Sequence, residues 1–515
     1  MTKLQFNPWL SLSILIALIL NGCVPAAPSQ APIPPQVEWP TYGWKTSTPE
    51  QQGMDSDELV KMFEYILEKQ LNLHSVLIVR NGYLVTEAYF QPFQEDNKHL
   101  IASCTKSFTS ALVGIAIDKG FLEGVDQKVL GLFPERTSAN NSSSKKAITL
   151  ELLLTMSSGL EWSEWRPYDM LNSEIQMENS PDWVQFVLDR PLSAEPVTRW
   201  NYNSGNSHLL SAVVQKTTGM SALAFAQTYL FKPLGISDVV WGTDPEGINF
   251  GGAGLELTPR DMARFGYLYL QNGVWDGQQV VSTEWVKAST AIHIQTDVGH
   301  DYGYQWWLHS FGSLGAEGYG GQRIFVAPDH QIVAIITAGL AYPGMETIPD
   351  ELFENYILEA GKSSDPLPEN PQGMAQLASQ LLAIAHPQAG MLSPLPEVAE
   401  QISGRKYVLE SNSLGIKAFT LYFTDGEARI KLWMGGASQE LTIGLDDLYR
   451  TNPVALPLHG FIAFRGFWQS DGFNLSGIYN GAMYNLRFSF STQGVVMKQY
   501  GLAGEYEVTH GTPQD

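Results

Sequence analysis

The strongest constraint in the sequence is a serine and a lysine placed three residues apart at the head of an apolar run. Ser103-Cys104-Thr105-Lys106 leads into residues 107–117, which are apolar enough to form a buried helix. Residues at i and i+3 share a helix face, so the hydroxyl and the amine are predicted to be neighbours. A lysine in an apolar pocket loses its proton more readily, and a helix N-terminus stabilises a nearby negative charge. The pattern therefore predicts a serine that is activated without a histidine.

The same spacing occurs three more times, at Ser142/Lys145, Ser143/Lys146 and Ser403/Lys406. The first two pairs lie in a polar run, residues 140–146, that is typical of a solvated loop. The third pair spans Gly404, in a turn before a predicted strand. Only Ser103 begins a long apolar helix, so we assign the activated serine to Ser103.

Two later segments carry compatible chemistry. Residues 200–205 contain Tyr202 and precede a helical run at 209–214. The Tyr202 phenol would exchange protons readily if a nearby lysine ammonium lowered its pKa. Further on, the glycine-rich residues 318–322 precede two predicted strands that form a hairpin. A bare hairpin edge of this kind allows a substrate carbonyl to approach backbone N–H groups.

In the order Ser-x-x-Lys, Tyr-x-Ser and a glycine-rich third element, the chain resembles the serine β-lactamase and penicillin-binding superfamily. The resemblance is greatest to its esterase and 6-aminohexanoate-dimer hydrolase branch. Segments 75–82, 149–160 and 257–266 add to the resemblance, which spans roughly residues 41–362. It implies an α/β fold in which an antiparallel sheet is flanked by helices, together with an all-helical subdomain.

The resemblance also implies roles for individual residues. Ser103 would attack a carbonyl, and Lys106, neutral or sharing a proton with Tyr202, would take the serine proton. Tyr202 would protonate the leaving group, and Ser204 would hydrogen-bond within the Lys106 network. Backbone N–H groups of Ser103 and Gly321 would hold the oxyanion. This chemistry requires neither a metal nor an organic cofactor.

The third element departs from the pattern of many relatives. Gly318 stands where they carry a Lys or His that would bind a β-lactam carboxylate, and Arg323 is the nearest cation in sequence. A Glu-x-x-Leu-Asn deacylation loop is also absent from the sequence. We therefore expect hydrolysis of small esters or amides, ahead of a penicillin-binding, peptidase or β-lactamase activity, with a catalytically silent binding lipoprotein as the third alternative. Candidate substrate contacts are Arg323, Gln322, Tyr319, Trp165 and Tyr168.

Two residues near these motifs leave alternatives open. Cys104 is expected to pack behind Ser103, and a cysteine nucleophile is the rival interpretation. His208 follows Tyr202 by six residues and is expected to be structural, with a role in the site as the alternative. The histidines form neither His-x-His nor His-Glu-x-x-His, so the sequence predicts no zinc site.

The N-terminus has the pattern of an export signal. Lys3 precedes an apolar stretch at 9–20, and Leu20-Asn21-Gly22-Cys23 resembles a bacterial lipobox. We expect a signal peptide over residues 1–22, lipidation of Cys23 and a proline-rich tether over 23–40, which gives an exported lipoprotein anchored at the cell-envelope membrane. A plain signal peptide is the alternative. The net charge of -22 argues against nucleic acid as a partner and against electrostatic membrane binding.

The rest of the chain is predicted to be separate from the hydrolase-like region. Residues 363–389 are expected to form a linker and a short helix, and 390–507 a small antiparallel sandwich or barrel, followed by a tail at 508–515. Apolar residues alternate on both sides of Asp425-Gly426, which is a strong hairpin signal. The sequence does not indicate an oligomeric state.

Overall fold

The computed structural model describes residues 39–515 except for 165–170, 341–343, 425, 454–460, 471, 480–481, 502–503 and 515. The predicted signal peptide, Cys23 and nearly all of the tether lie outside the described residues, as do Trp165 and Tyr168. Among the helices of the described residues, none has both the length and the apolar composition needed to cross a bilayer.

The described part of the hydrolase-like region contains thirteen strands, several of them short. They are β1 (Leu73–Arg80), β2 (Tyr83–Tyr89), β3 (His99–Leu100), β4 (Val240–Trp241), β5 (Leu255–Leu257), β6 (Val274–Trp275), β7 (Gln278–Gln279), β8 (Ile294–Gln295), β9 (Asp301–Tyr302), β10 (Trp307–Leu308), β11 (Leu314–Gly318), β12 (Gln322–Ala327) and β13 (Ile332–Ala338).

Besides these strands, the described residues form α-helices, some of which are single turns. They are α1 (Ser56–Glu68), α2 (Thr105–Asp118), α3 (Val129–Leu132), α4 (Ser143–Lys146), α5 (Leu150–Leu154), α6 (Ser173–Glu178), α7 (Trp183–Asp189), α8 (Ser204–Thr218), α9 (Ala222–Ala226), α10 (Lys232–Leu234), α11 (Pro259–Leu270), α12 (Thr283–Ser289), α13 (Ile348–Leu352), α14 (Pro371–Ala385) and α15 (Glu397–Ile402).

The central element is an eight-stranded antiparallel sheet in the order β2-β1-β13-β12-β11-β10-β9-β8. Strands β1, β12 and β13 are buried along their whole length, so both faces of the sheet are covered. Along β1, Leu77 and Val79 pack into one hydrophobic core, while Val76 and Ile78 pack into a second core on the opposite face. The predicted antiparallel sheet flanked by helices is confirmed.

Helix α2 occupies the centre of the first core. Its residues from Thr105 to Ala116 are all buried, and α8 packs beside it. At Gly114 the approach is too close for a side chain, because a Cβ there would lie 2.3 Å from the Trp285 ring. Helices α3 to α10 lie between β3 and β4 in the chain without an intervening strand among the described residues, as expected for an all-helical subdomain.

The C-terminal region is a β-barrel formed by β14 (Lys406–Leu409), β15 (Ile416–Thr424), β16 (Glu427–Met434), β17 (Ala437–Gly444), β18 (Arg450–Pro453), β19 (Phe461–Gln469), β20 (Gly472–Tyr479), β21 (Ala482–Ser491), β22 (Gly494–Gly501) and β23 (Gly504–Gln514). Nine strands follow one another in the order β17-β16-β15-β14-β23-β22-β21-β20-β19, and a β17–β19 contact closes the ring while β18 adds to β19. The predicted all-β domain is therefore present as a barrel. Its last strand extends beyond position 507, where the sequence predicted the domain to end.

The barrel contacts the hydrolase-like region beside β2. Phe93 shares a small apolar cluster with Tyr449, Ala463 and Ile478 of the barrel. The Gln91 side chain donates a 2.8 Å hydrogen bond to the Tyr449 carbonyl. This contact surface lies outside the segments that carry Ser103, Lys106 and Tyr202.

Candidate active site

Ser103 lies in a 3₁₀ turn, Ala102–Cys104, that leads directly into α2. Ala102 adopts a left-handed backbone conformation with φ of 47°, which typically costs a non-glycine residue about 1–3 kcal/mol. The Thr105 hydroxyl donates a 2.7 Å hydrogen bond to the Ala102 carbonyl and braces the turn. The chain therefore holds Ser103 on a tight, strained bend at the head of the buried helix.

Lys106 lies one turn further along and is almost completely buried, with 1% of its surface exposed. Its Nζ atom is 3.0 Å from Ser103 Oγ, 2.8 Å from Ser204 Oγ and 2.9 Å from the Gly252 carbonyl oxygen. Burial lowers the pKa of Lys106, against the opposing effect of the Glu164 and Glu174 carboxyl groups. The predicted proximity of the serine hydroxyl and the lysine amine is confirmed.

Tyr202 contacts both Ser103 and Lys106. Its side chain is hydrogen-bonded to Ser103, and the Lys106 ammonium position is 4.6 Å from the centre of its ring. The ring stacks on Trp307, with 5.8 Å between centroids. Burial and then the Glu164 charge raise the pKa of Tyr202 well above its ordinary value, which is the opposite of the lowering suggested by the sequence. The phenol is therefore held in its protonated form.

Ser204 is the first residue of α8, and its hydroxyl contacts Lys106 Nζ. The Asn203 side chain caps the helix by accepting a hydrogen bond from the Asn206 N–H. As the first residue of the helix, Ser204 has a backbone N–H without an intrahelical acceptor, and this N–H donates to Glu164 Oε2 at 2.8 Å. The structure thus places Ser204 in the Lys106 network, as the sequence predicted.

Two carboxyl groups that sequence reasoning missed lie behind Ser204. Glu164 Oε1 accepts the Ser204 hydroxyl hydrogen, and Glu164 Oε2 also accepts from the Trp162 indole at 2.6 Å. Glu174 lies nearby on α6, where burial and then the Glu164 charge raise its pKa to about 8. Neither glutamate belongs to a recognisable motif, and both are far from Ser204 in sequence, so only the tertiary fold reveals them.

The glycine-rich third element forms the turn between β11 and β12. Gly318 packs against the segment that precedes Ser103, since a Cβ at this position would lie 2.4 Å from the Ile101 carbonyl oxygen. A Cβ at Gly321 would instead face Ala338, at 3.1 Å, with Leu340 next to it. The Gly318 end of the turn therefore adjoins the Ser103 segment, and the oxyanion role of the Gly321 N–H stays a prediction.

Two of the candidate substrate-binding residues, Gln322 and Arg323, lie on β12, and their side chains bind other groups of the protein. Arg323 Nη1 donates to the carbonyls of Gly318 and Gln322, and the guanidinium pairs with Glu317 at 3.3 Å and with Asp350 at 3.5 Å. The Gln322 side chain donates to the carbonyl of Ala338 on β13 at 2.6 Å. By contrast, Tyr319 is 49% exposed on the turn.

The structure also shows the surroundings of the two residues that the sequence left open. Cys104 is fully buried, its thiol donates to the Ala316 carbonyl at 3.2 Å, and burial raises the pKa of the thiol. A thiolate nucleophile is disfavoured in such a position. His208 is fully buried and its Nε2 lies 3.0 Å from Asp244 Oδ2. Both arrangements are those of structural residues.

A histidine and carboxylate cluster includes Glu317, which precedes the third element on β11. Ligand atoms of His300, His309 and Glu317 all lie within 4.8 Å of one another. His309 hydrogen-bonds to Ser313 at 2.9 Å and to Glu317 at 2.8 Å, and Glu317 also pairs with Arg323. Burial would raise the pKa of Glu317, but Arg323 and His309 hold it at about 2. Protein partners thus account for His309 and Glu317 without a metal ion.

Comparison with known proteins identifies the family of this chain. The family described as Beta-lactamase matches residues 59–355, which include Ser103, Lys106, Tyr202 and the third element. The chain belongs to the β-lactamase family. The resemblance inferred from the motif order is therefore confirmed.

Several members of this family that are similar to the chain are hydrolases. A 6-aminohexanoate-dimer hydrolase from Paenarthrobacter ureafaciens is 27% identical over 272 residues, covering 49% of this chain and 69% of that protein. A lovastatin esterase from Penicillium rubens is 31% identical over 166 residues, covering 29% of this chain and 40% of that protein. The solved structure of EstCE1, a hydrolase with promiscuous acyltransferase activity, has a TM-score of 0.50 at 16% identity and covers 60% of this chain and 99% of its own, so it shares the fold.

Proposed function

We propose that the protein hydrolyses small esters or amides through a covalent acyl intermediate on Ser103. The observation that carries this proposal is the contact of Ser103 with both a buried lysine amine and a protonated tyrosine. A neutral amine accepts the serine proton, while a protonated phenol supplies one to a leaving group. The similarity to a 6-aminohexanoate-dimer hydrolase and to a lovastatin esterase supports this proposal.

The hydrogen bonds around Lys106 are those that a neutral amine needs in order to act as a base. The Gly252 carbonyl can only accept, and the Ser204 hydroxyl hydrogen is directed to Glu164, so Ser204 Oγ also accepts from the lysine. These two acceptors take both N–H groups of a neutral amine. The remaining lone pair of Nζ then faces Ser103 Oγ at 3.0 Å.

The reaction proceeds in two halves. As Ser103 Oγ forms a bond to the substrate carbonyl carbon, its proton passes to Lys106 and the carbonyl electrons move to oxygen. Tyr202 donates its proton to the departing alkoxide or amine as that bond breaks, and recovers a proton from the Lys106 ammonium. A water molecule then repeats the sequence on the acyl-enzyme, which releases the acid and returns the proton to Ser103. We place the oxyanion at the backbone N–H groups of Ser103 and Gly321, the two donors that the family resemblance implies.

Phosphonate labelling tests the nucleophile. A fluorophosphonate is expected to add once to the wild-type protein and to leave the Ser103→Ala variant unmodified, as measured by intact-protein mass. Ser142→Ala is the matched control, because this serine is also followed by a lysine three residues later but caps the single-turn helix α4. It should label like the wild type. A mass increase that persists in Ser103→Ala would assign the nucleophile elsewhere.

We also propose that Cys23 carries a lipid that anchors the protein at the cell-envelope membrane. The support is Leu20-Asn21-Gly22-Cys23 after an apolar stretch of signal-peptide length, with a proline-rich segment behind it. Expressed in a bacterial host that processes lipoproteins, the Cys23→Ser variant is expected to leave the membrane fraction for the soluble or unprocessed pool. Identical fractionation of variant and wild type would contradict lipidation.

A further inference from the structure

We propose that Gln305 is a positioning residue that joins the two helices of the site, and thereby sets the contact between Lys106 on α2 and Ser204 on α8. Gln305 lies in the turn between β9 and β10 and is 2% exposed. The inference rests on the proposed function for its catalytic meaning. Its structural content rests on the hydrogen bonds and the backbone conformation of this one residue.

Gln305 uses both its side chain and its backbone to join three separate helices. Its carbonyl accepts a 2.7 Å hydrogen bond from the Ser107 hydroxyl on α2, and its Oε1 accepts one of 3.0 Å from the Ser207 hydroxyl on α8. Its backbone N–H donates at 3.1 Å to the carbonyl of Leu154, the last residue of α5, where helix carbonyls lack an intrahelical donor. One buried residue therefore bridges α2, α8 and α5.

These bridges lie next to the residues of the site. Ser107 directly follows Lys106 on α2. Ser207 is three positions after Ser204, so the two serines lie on the same face of α8. On that face, Ser204 Oγ contacts Lys106 Nζ at 2.8 Å, and Ser207 Oγ contacts Gln305. The Gln305 bridge therefore fixes the spacing of α2 and α8 within about one helical turn of the Lys106 contact.

The turn that contains Gln305 also supports Tyr202. The Gly303 N–H donates to the Trp306 carbonyl at 2.9 Å and closes the turn around Gln305. Trp307, two residues after Gln305, stacks on the Tyr202 ring with 5.8 Å between centroids. The position of this turn therefore affects both the base and the acid that we propose for the reaction.

The backbone conformation of Gln305 is strained. Its φ of 63° lies in the left-handed region, which glycine adopts readily and a residue with a Cβ does not. Such a conformation persists only where the surrounding structure holds it, and it is often found at functional sites. A glycine would suit this backbone better, but it could not accept the hydrogen bond from Ser207. The strain at Gln305 is thus offset by contacts that include the bridge to α8.

Serine-to-alanine variants on α8 test the bridge without altering the turn. Ser207→Ala is expected to lower kcat for an ester substrate about tenfold to a hundredfold with little change in KM, because a small displacement of proton-transfer groups is costly. Ser211→Ala is the matched control, since Ser211 is also fully buried on α8 but donates to the Asn249 carbonyl at 2.6 Å. It should lose thermal stability and keep its kcat. An equal fall in kcat in both variants, or an unchanged kcat in Ser207→Ala, would overturn the positioning role.

Two variants of Gln305 separate stability from positioning. Gln305→Gly and Gln305→Ala both remove the acceptor of the Ser207 hydroxyl, so both should lower kcat. Glycine relieves the left-handed strain and alanine retains it, so Gln305→Ala should unfold at the lower temperature. Activity is compared well below both unfolding temperatures. A fall in kcat confined to the less stable variant would attribute the effect to instability and contradict the proposal.

A measurement without substrate distinguishes this inference from the proposed function. In protein carrying ¹³C-labelled lysine, the Lys106 resonance, assigned by its loss in Lys106→Ala, should shift in Ser207→Ala and keep its wild-type position in Ser211→Ala. If it does so while wild-type Ser103 resists phosphonate, the positioning role stands and the hydrolase proposal fails. If wild-type Ser103 labels normally while Ser207→Ala matches the wild type in both resonance and kcat, the hydrolase proposal stands and the positioning role is overturned.

Discussion

Lys106→Ala is expected to lower kcat/KM for an ester substrate by about a hundredfold to ten-thousandfold, the usual contribution of a positioned general base. Tyr202→Phe should cause a loss of similar size, because Tyr202 is the acid in the mechanism that we propose. The two losses should not multiply in the double variant. Both side chains contact Ser103. In the mechanism that we propose, the proton that Lys106 takes from Ser103 is the one that restores Tyr202, so removal of either residue interrupts the same path.

Steady-state kinetics on the two single variants and the double variant provide the measurement, with thermal unfolding to confirm that each protein is folded. Lys145→Ala is a suitable control, since Lys145 is also a buried lysine, but its amine donates to the carbonyls of Ala139 and Arg190. This variant is expected to lose stability and to keep its kcat/KM. A double variant whose loss equals the full product of the two single losses would show that Lys106 and Tyr202 act independently.

Much of the architecture follows from local sequence patterns. The apolar run after Ser103 forms α2, and the alternating residues around Asp425-Gly426 form the paired strands β15 and β16, with Phe419 and Ile430 directed into the barrel core. These predictions succeed because periodicity and turn chemistry are local properties of the chain. The spacing of Ser103 and Lys106 is local in the same sense, since three helical positions already place the two side chains together.

The rest of the site depends on contacts between distant segments. Glu164 meets Ser204 across 40 residues, and Gly252 supplies a carbonyl to Lys106 from a further loop. No periodicity in the sequence specifies such contacts. The pKa of Tyr202 is raised where the sequence suggested a lowering, because burial and the Glu164 charge act on the phenol and neither can be judged from a loop motif.

A strong preference for simple esters over β-lactams is the second large effect that we expect. Wild-type protein should hydrolyse p-nitrophenyl butyrate, and its kcat/KM for nitrocefin should be lower by at least about tenfold to a hundredfold. This factor corresponds to one missing charge-assisted hydrogen bond to the nitrocefin carboxylate, which contributes about 1.5–3 kcal/mol. The family resemblance places this cation at the position of Gly318. Here a Cβ would lie 2.4 Å from the Ile101 carbonyl oxygen, so no side chain fits without moving the segment that carries Ser103.

Arg323 is the neighbouring residue that could replace the missing cation, and its contacts argue against this role. The guanidinium is 6% exposed, pairs with Glu317 and Asp350, and donates to the backbone carbonyls of Gly318 and Gln322. Turning it towards a substrate would break its ion pairs with two largely buried carboxyl groups, which is destabilising. Arg323→Lys keeps the charge but not the branched geometry, so it should lower the thermal unfolding temperature and leave the ester-to-nitrocefin ratio unchanged. Efficient nitrocefin turnover by the wild type that disappears in Arg323→Lys would instead show that this guanidinium leaves its ion pairs to bind the substrate carboxylate.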